Sequence, residues 1–310
     1  MSSNQYPIHA LKGLKKSFDN AAQAKTEVYM ALPIFNMQTT TEWDEIYTST
    51  EGLTGMKELS ESETPSVSQE QEGYKVVISP KRYGNAIVIT EEDQRRKLDS
   101  TVKIDEFLMR QQDDLIKDGI NFFIEDCHKF VNEAFDSTSA LLSPDGVEIC
   151  GDHTWKSGET FTNKTTDTFG EAAIDTANEV AGSFTTADGK LRPLNWQYAV
   201  LKKGSANARE AKRLFALDAI RPTTYNDINI YEGELNVVET PYILPANKNN
   251  WLLMDTTVEE SPFYVGINEM LSLRAPIRAE NESVRSNVTG FWKSGVINMP
   301  YNVYGGEVAA

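Results

Sequence analysis

The chain has 310 residues, 40% hydrophobic and 25% charged, and its 46 acidic against 30 basic side chains leave a formal charge of −16. That is enough chain for a sizeable core and roughly two domains. So negative a surface argues against general nucleic-acid binding, which needs Lys and Arg to neutralise phosphates.

Cys127 and Cys150 are too few for a disulfide scaffold and fit a reducing compartment. No run approaches the roughly 18 apolar residues of a membrane span, and "MSSNQYPIHALKGLKKSF" lacks the apolar core of a secretory signal. The sequons at Asn163, Asn281 and Asn287 are therefore expected to be incidental.

Residues 1–41 read as an arm. Leu11, Leu14, Phe18, Ala21 and Ala22 fall on one face at helical spacing, with Lys12, Lys15 and Lys16 elsewhere. This is a short basic amphipathic helix in an acidic protein, either packed on its own domain or docked on a neighbour or nucleic acid. Residues 42–90 read as a long β-hairpin, because "EWDEIYTST" and "EGYKVVISPKRYGNAIVIT" carry the Val, Ile, Tyr and Thr of strands. The stretch between them, "EGLTGMKELSESETPSVSQEQ", has almost nothing to bury. From Glu42 to Glu72 nine acidic residues accompany one cation, Lys57. Such a loop is a mobile tip or a projection ordered by a partner with basic residues.

Residues 99–136 read as a helix, with Asp99 or Ser100 as N-cap. Ile104, Phe107, Leu108, Leu115, Ile116, Phe123, Cys127, Phe130, Val131 and Ala134 follow its period. If continuous, it spans about 57 Å at 1.5 Å per residue, with Gly119 as a bend. One compact domain cannot cover such a strut. Residues 137–169 are polar and turn-rich, with "SPDG" as a turn signal. A second module follows: helix "FGEAAIDTANEVAGSF", strand "NWQYAVLKK", helix "ANAREAKRLFALDA" and strands "LNVVETPYIL" and "NWLLMD". Those last two runs, around Pro241, Pro245 and the polar loop 246–250, read as a strand–loop–strand hairpin. "SVRSNVTGFWKSGVINMPYNVYGG" reads as strands returning to the first module. There is no solenoid or propeller repeat.

Cys127–His128 and Cys150–His153 are the clustered soft ligands that zinc would need. Neighbours on a helix point about 100° apart, so the expectation is a core cysteine and solvated histidines. No phosphate-cradling, dinucleotide, nucleophile-elbow or zinc-protease motif occurs, and carboxylate pairs carry little information in so acidic a chain. No catalytic residue, cofactor or metal is expected, and the chain does not read as an enzyme.

The order of elements is the informative feature. "FTTADGKLRPLNWQYAVLKKGSANAREAKRLF", with Pro193, Trp196 and Leu201, and "LNVVETPYILPANKNNWLLMD", with Val237, Val238, Thr240, Pro241, Leu244, Pro245, Trp251, Leu252 and Asp255, fall in that order. "SPDGVEICGDHTW" precedes them, with His153. Together they resemble the major capsid protein of tailed bacteriophages, the Hong Kong 97-type fold. Asn249–Asn250 depart from the family's frequent glycine, and the short N-terminal extension makes a fused scaffolding domain unexpected.

The resemblance implies an α+β fold with an N-terminal arm (1–41), an extended β-hairpin loop (42–80) and a peripheral domain (81–165) holding the spine helix 99–136. An axial domain (166–284) follows, then C-terminal strands (285–310) that return to the peripheral domain. It implies self-assembly into hexamers and pentamers of an icosahedral shell around double-stranded DNA, without sequence-specific binding and without a membrane. Portal, scaffold or decoration proteins would be further partners. The location would be the virion, after assembly in host cytoplasm. An encapsulin-like protein shell is the alternative, and a zinc-dependent hydrolase or binding protein a remote one. On this reading the hairpin at 237–255 points to a capsomer centre and offers Asn247, Lys248 and Asn249 to a neighbour. The acidic residues Glu58, Glu61, Glu63, Glu70 and Glu72 of one subunit are expected to dock on Arg95, Arg96, Lys97, Lys103 and Arg110 of the next.

Overall fold

Ile34 and Phe35 are already buried where the described chain begins. The computed structural model describes residues 34–51, 64, 72–90, 92, 104–215, 231–257, 260–274, 277–278 and 283–308. Strands β1 (Asn36–Thr39), β2 (Glu45–Thr50), β3 (Glu72–Ile78) and β4 (Lys81–Ile89) precede helix α1 (Ile104–Cys127) and the single turn α2 (Lys129–Asn132). Then come β5 (Asp152–Thr154), β6 (Thr160–Thr162), β7 (Lys164–Thr165), α3 (Glu171–Ser183), β8 (Tyr198–Lys202) and α4 (Ala206–Phe215). The chain closes with β9 (Asn236–Thr240), a 3-10 turn (Pro245–Asn247), β10 (Trp251–Met254), β11 (Phe263–Leu273), β12 (Ile277–Arg278), β13 (Val284–Val296) and β14 (Val303–Gly306).

The first sheet is built on β13. β4 runs antiparallel along one edge from Trp292↔Lys81 to Val284↔Ile89. β11 and then β12 occupy the other edge, and β1 lies parallel outside β11. The second sheet has the order β7-β14-β10-β8-β9. Here β8, α4 and β9 form a parallel crossover, and β10 is antiparallel to both β8 and β14.

Four expectations are corrected by this topology. Only β2 and β3 form the hairpin; β4 leaves it for β13, because Pro80 between them lacks a ladder donor. The runs at 237–255 are not a hairpin, since β8 lies between β9 and β10. The long helix is interrupted at His128, whose ring Nδ1 donates to the Ile124 carbonyl at 2.7 Å. The helix runs on through Gly119, where a Cβ would sit 2.9 Å from Leu271 Cδ1, so the missing side chain lets β11 approach. Lastly, β11 belongs to the first sheet and β14 to the second, so the two modules exchange strands that a linear division assigns otherwise.

The second sheet is a wall between two cores. Val200, Leu252, Met254 and Val303 face a cluster shared with α1, α2 and the first sheet. Ala199, Leu201, Trp251, Leu253 and Tyr304 face α3 and α4. All four residues of β10 are buried, which is why "WLLM" reads as one apolar run without alternation. Fully burying each such side chain is worth about 1.5–3 kcal/mol. Among the described residues no helix is long and apolar enough to cross a membrane.

Candidate subunit-contact surfaces

The β2–β3 hairpin alternates in the way a half-covered ribbon must. Glu45, Ser49 and Ile78 turn inward and are buried, whereas Ile46 and Val77, directly opposite each other, are 58% and 56% exposed. An apolar cross-strand pair facing outward is surface that an isolated chain gains nothing by exposing. Trp43, 61% exposed, lies 6.1 Å from the Phe291 ring, with the Arg82 guanidinium over that same ring at 5.7 Å.

Two clamps hold the ribbon. At its base the buried Lys293 ammonium sits 3.0 Å from Glu45 Oε1 and donates to the Glu42 carbonyl at 2.9 Å. Burial pushes the Glu45 carboxyl up, but hydrogen bonds from Thr40, Tyr264, Tyr47 and Lys293 outweigh it and hold it down at about 2. Tyr47, which donates to Glu45 at 2.7 Å, is pushed up to about 12 by burial and by that carboxylate. At the far end Glu51 accepts from the backbone N–H groups of Lys156 (2.6 Å) and Ser157 (2.9 Å). Lys156 Nζ donates to the Glu72 carbonyl at 3.2 Å, and the Tyr74 hydroxyl to the Thr154 carbonyl at 3.1 Å. The sequence reading missed Lys293, although its place among the apolar residues of "VTGFWKSGV" was a usable signal.

The acidic-loop and basic-cluster candidates fall mostly elsewhere. Glu58, Glu61, Glu63, Glu70, Arg95, Arg96, Lys97 and Lys103 lie outside the described residues, and Arg110 lies on α1 with its side chain outside them. Glu72 opens β3 and is exposed.

The loop after β9 is strapped down. Asn132 Oδ1 accepts from the Leu244 N–H at 2.8 Å, and Asn132 Nδ2 donates to the Tyr242 carbonyl at 3.1 Å. Asn247 Nδ2 donates to the Asn132 carbonyl at 2.6 Å, and Asn207 Nδ2 to the Asn249 carbonyl at 2.7 Å. Asn247 thus spends its amide on α2, and Lys248 beside it stays exposed. The polar loop expected to be free is a brace between the end of α2 and α4.

The histidines are buried, not solvated: His128 and His153 are 1% and 0% exposed. His128 Nδ1 donates to the Ile124 carbonyl and Nε2 accepts from Thr240 Oγ1 at 2.8 Å. Burial lowers its affinity for a proton. His153 Nδ1 faces Asp145 Oδ2 at 3.0 Å and Ser143 Oγ at 3.3 Å, and Nε2 donates to the Ile149 carbonyl at 3.1 Å. Ser, His and Asp are together, yet Ser and Asp share one ring nitrogen and a backbone carbonyl takes the other. A catalytic triad needs them on opposite nitrogens, so this cluster stitches a turn. Burial pushes the Asp145 carboxyl up, but hydrogen bonds from His153 and Ser143 hold it down at about 2. Burial raises both cysteine thiols, and among the described residues no group of His, Cys, Asp and Glu is placed to hold a metal.

No family model matches the chain, and no curated protein matches it. Solved structures do. Over 98% of this chain and 88% of the other, it is similar to a chain of Mycobacterium phage Patience, with a TM-score of 0.55 at 14% identity. It is similar to the capsid structure of Cyanophage P-SCSP1u over 89% and 86%, with a TM-score of 0.51 at 11% identity. It also matches the capsid of an empty GTA particle over 89% and 88%, with a TM-score of 0.50 at 12% identity.

Proposed function

We propose that this chain, whose fold is the Hong Kong 97-type fold of tailed-phage capsid proteins, is the major capsid protein of a phage or prophage. The observation that carries the reading is fold similarity to capsid chains along nearly the whole polypeptide. Supporting it, the clamped β2–β3 ribbon presents an outward Ile46–Val77 pair, which a neighbouring copy would cover. The partners are copies of itself in hexamers and pentamers, around double-stranded DNA, with portal, scaffold or decoration proteins completing the particle. At a charge of −16 the wall does not grip the genome, so DNA slides in and out. The acidic loop carrying Glu58, Glu61, Glu63 and Glu70 of one copy lands on Arg95, Arg96, Lys97, Lys103 and Arg110 of the next. A zinc enzyme has little to work with, since the ring nitrogens of His128 and His153 already have partners.

The test is negative-stain microscopy and sedimentation of the purified full chain. Uniform hollow particles are expected, with nuclease-protected DNA when the chain is made alongside its own phage. A compact monomer that persists at high concentration overturns the reading, and particles filled with protein cargo move it to an encapsulin-like shell.

A further inference from the structure

Between α1 and the strands β4 and β13 lies an open cleft of about 480 Å³. Leu115, Leu271, Val288 and Trp292 line it, with Phe122 at its lip and Arg82 and Asp118 on its rim. Trp292 is fixed from three sides: it stacks on Tyr83 at 4.1 Å, meets Phe123 edge-on at 5.2 Å, and its Nε1 donates to the buried Asp126 at 2.8 Å. Phe122 is 44% exposed although it touches the Tyr83 ring at 5.2 Å. Among the described residues the cleft is therefore preformed and nothing fills it, and an aromatic side chain is left at its mouth.

The outer face of α1 around Phe122 carries Asp114, Asp118 and Glu125, all exposed. Lys117 lies 3.9 Å from Asp114; among the described residues no cation is within ion-pairing distance of Asp118 or Glu125, although Arg82 shares the rim with Asp118. Spacings of four and seven place these carboxylates along one side of the helix. The site thus asks for a segment with an apolar stripe and a flank of positive charge, a helix-in-groove arrangement.

We propose that the chain's own N-terminal segment, Leu11 to Ala22, docks in this cleft. Leu11, Leu14 and Phe18 supply the apolar stripe, and Lys12, Lys15 and Lys16 the charge that meets Asp114, Asp118 and Glu125. Reach favours the same chain. Phe35 packs 5.4 Å from His128 and 6.5 Å from Phe130, so the segment enters the described structure at the C-terminal end of α1. From there to Asp118 is about 15 Å along the helix axis. The stretch from Phe18 to Ile34 extends to about 55 Å, so it can turn back along α1 with slack. A tether of that length gives an effective concentration on the order of millimolar, which a separate copy has to exceed to compete. The proposal does not depend on the shell reading, because it concerns the single chain.

The experiment places one cysteine in the segment and one on the rim of the full-length chain. Leu14→Cys and, separately, Phe18→Cys are each paired with Asp118→Cys, covering both directions in which the segment can lie. The native Cys127 and Cys150 are buried at 2% and 0% exposure and stay out of the reaction. Mild oxidation of dilute protein is expected to give an intramolecular disulfide, at least five-fold more than with Lys212→Cys on α4 as the control position. Lys12→Glu, Lys15→Glu and Lys16→Glu together are expected to lower that yield at low salt, and Asp114→Lys with Glu125→Lys to restore it. Removing residues 1–22 is expected to speed amide exchange across residues 114–125. Yields no better than the control overturn the proposal. So does a product running as a dimer, which assigns the cleft to a second copy.

Discussion

Lys293 sits in an environment that tolerates little change. Its ammonium is fully buried and satisfies Glu45 together with the carbonyls of Glu42 and Trp43. Removing one partner of a buried pair leaves an uncompensated charge and costs about 3–5 kcal/mol. Lys293→Met is therefore expected to lower the unfolding free energy by that amount, measured by denaturant titration, and the double change with Glu45→Leu to cost less than the single one. The acid response follows from the same groups. Glu45 is held at about 2 against an ordinary 4.5, and Asp145 at about 2 against 3.8. Depressed carboxyls contribute stability that is complete above the unfolded value and lost as pH falls toward the folded one. Loosening of the β2–β3 base is therefore expected between about pH 4.5 and 2, read as faster amide exchange at residues 45–50 and 72–78. His128, held neutral by burial, opens an earlier window below its ordinary 6.5, and His128→Gln should abolish that one alone.

At the level of elements, the second sheet is closely packed. β14 ends in Gly305 and Gly306, and a Cβ on Gly306 would lie 2.2 Å from the indole of Trp251, itself 1% exposed. The ring cannot swing away, because Trp251 Nε1 donates to the Asp167 carbonyl at 3.0 Å. Gly306→Ala is expected to cost about 1–3 kcal/mol by overpacking, measured as a lower urea midpoint. Asn163 fixes the neighbouring turn: its side chain accepts from the Gly151 N–H and donates to the Ile149 and Pro300 carbonyls, at 3% exposure. A sequon there has no room for a glycan.

For the whole molecule, the proposed assembly rests on surfaces that the described chain leaves open, the outward Ile46–Val77 pair among them. In the proposed docking of the acidic loop on the basic cluster, each ion pair of the surface kind is worth about 0–1 kcal/mol and is screened by salt. Arg95→Glu, Arg96→Glu and Lys97→Glu together are therefore expected to slow shell formation at low ionic strength far more than at high. Unchanged assembly kinetics at low salt would remove that contact from the account.

How much was legible beforehand depended on whether the signal was local. The amphipathic period of α1, the apolar run of β10 and the Val- and Ile-rich strands at 72–89 each lie in one continuous stretch, so the sequence alone determined their type. The order of those elements carried the fold. Pairing is not local. That β8 separates β9 from β10, that β4 abandons the hairpin for β13, and that the loop after β9 is a brace all depend on residues more than 40 positions away in some cases. The histidines were misjudged for the same reason: their partners Thr240 and Asp145 come from other segments, and burial is a property of what packs around a residue. Propensity and period belong to the chain, whereas sheet order and the pairing of buried charge are decided only when distant segments meet.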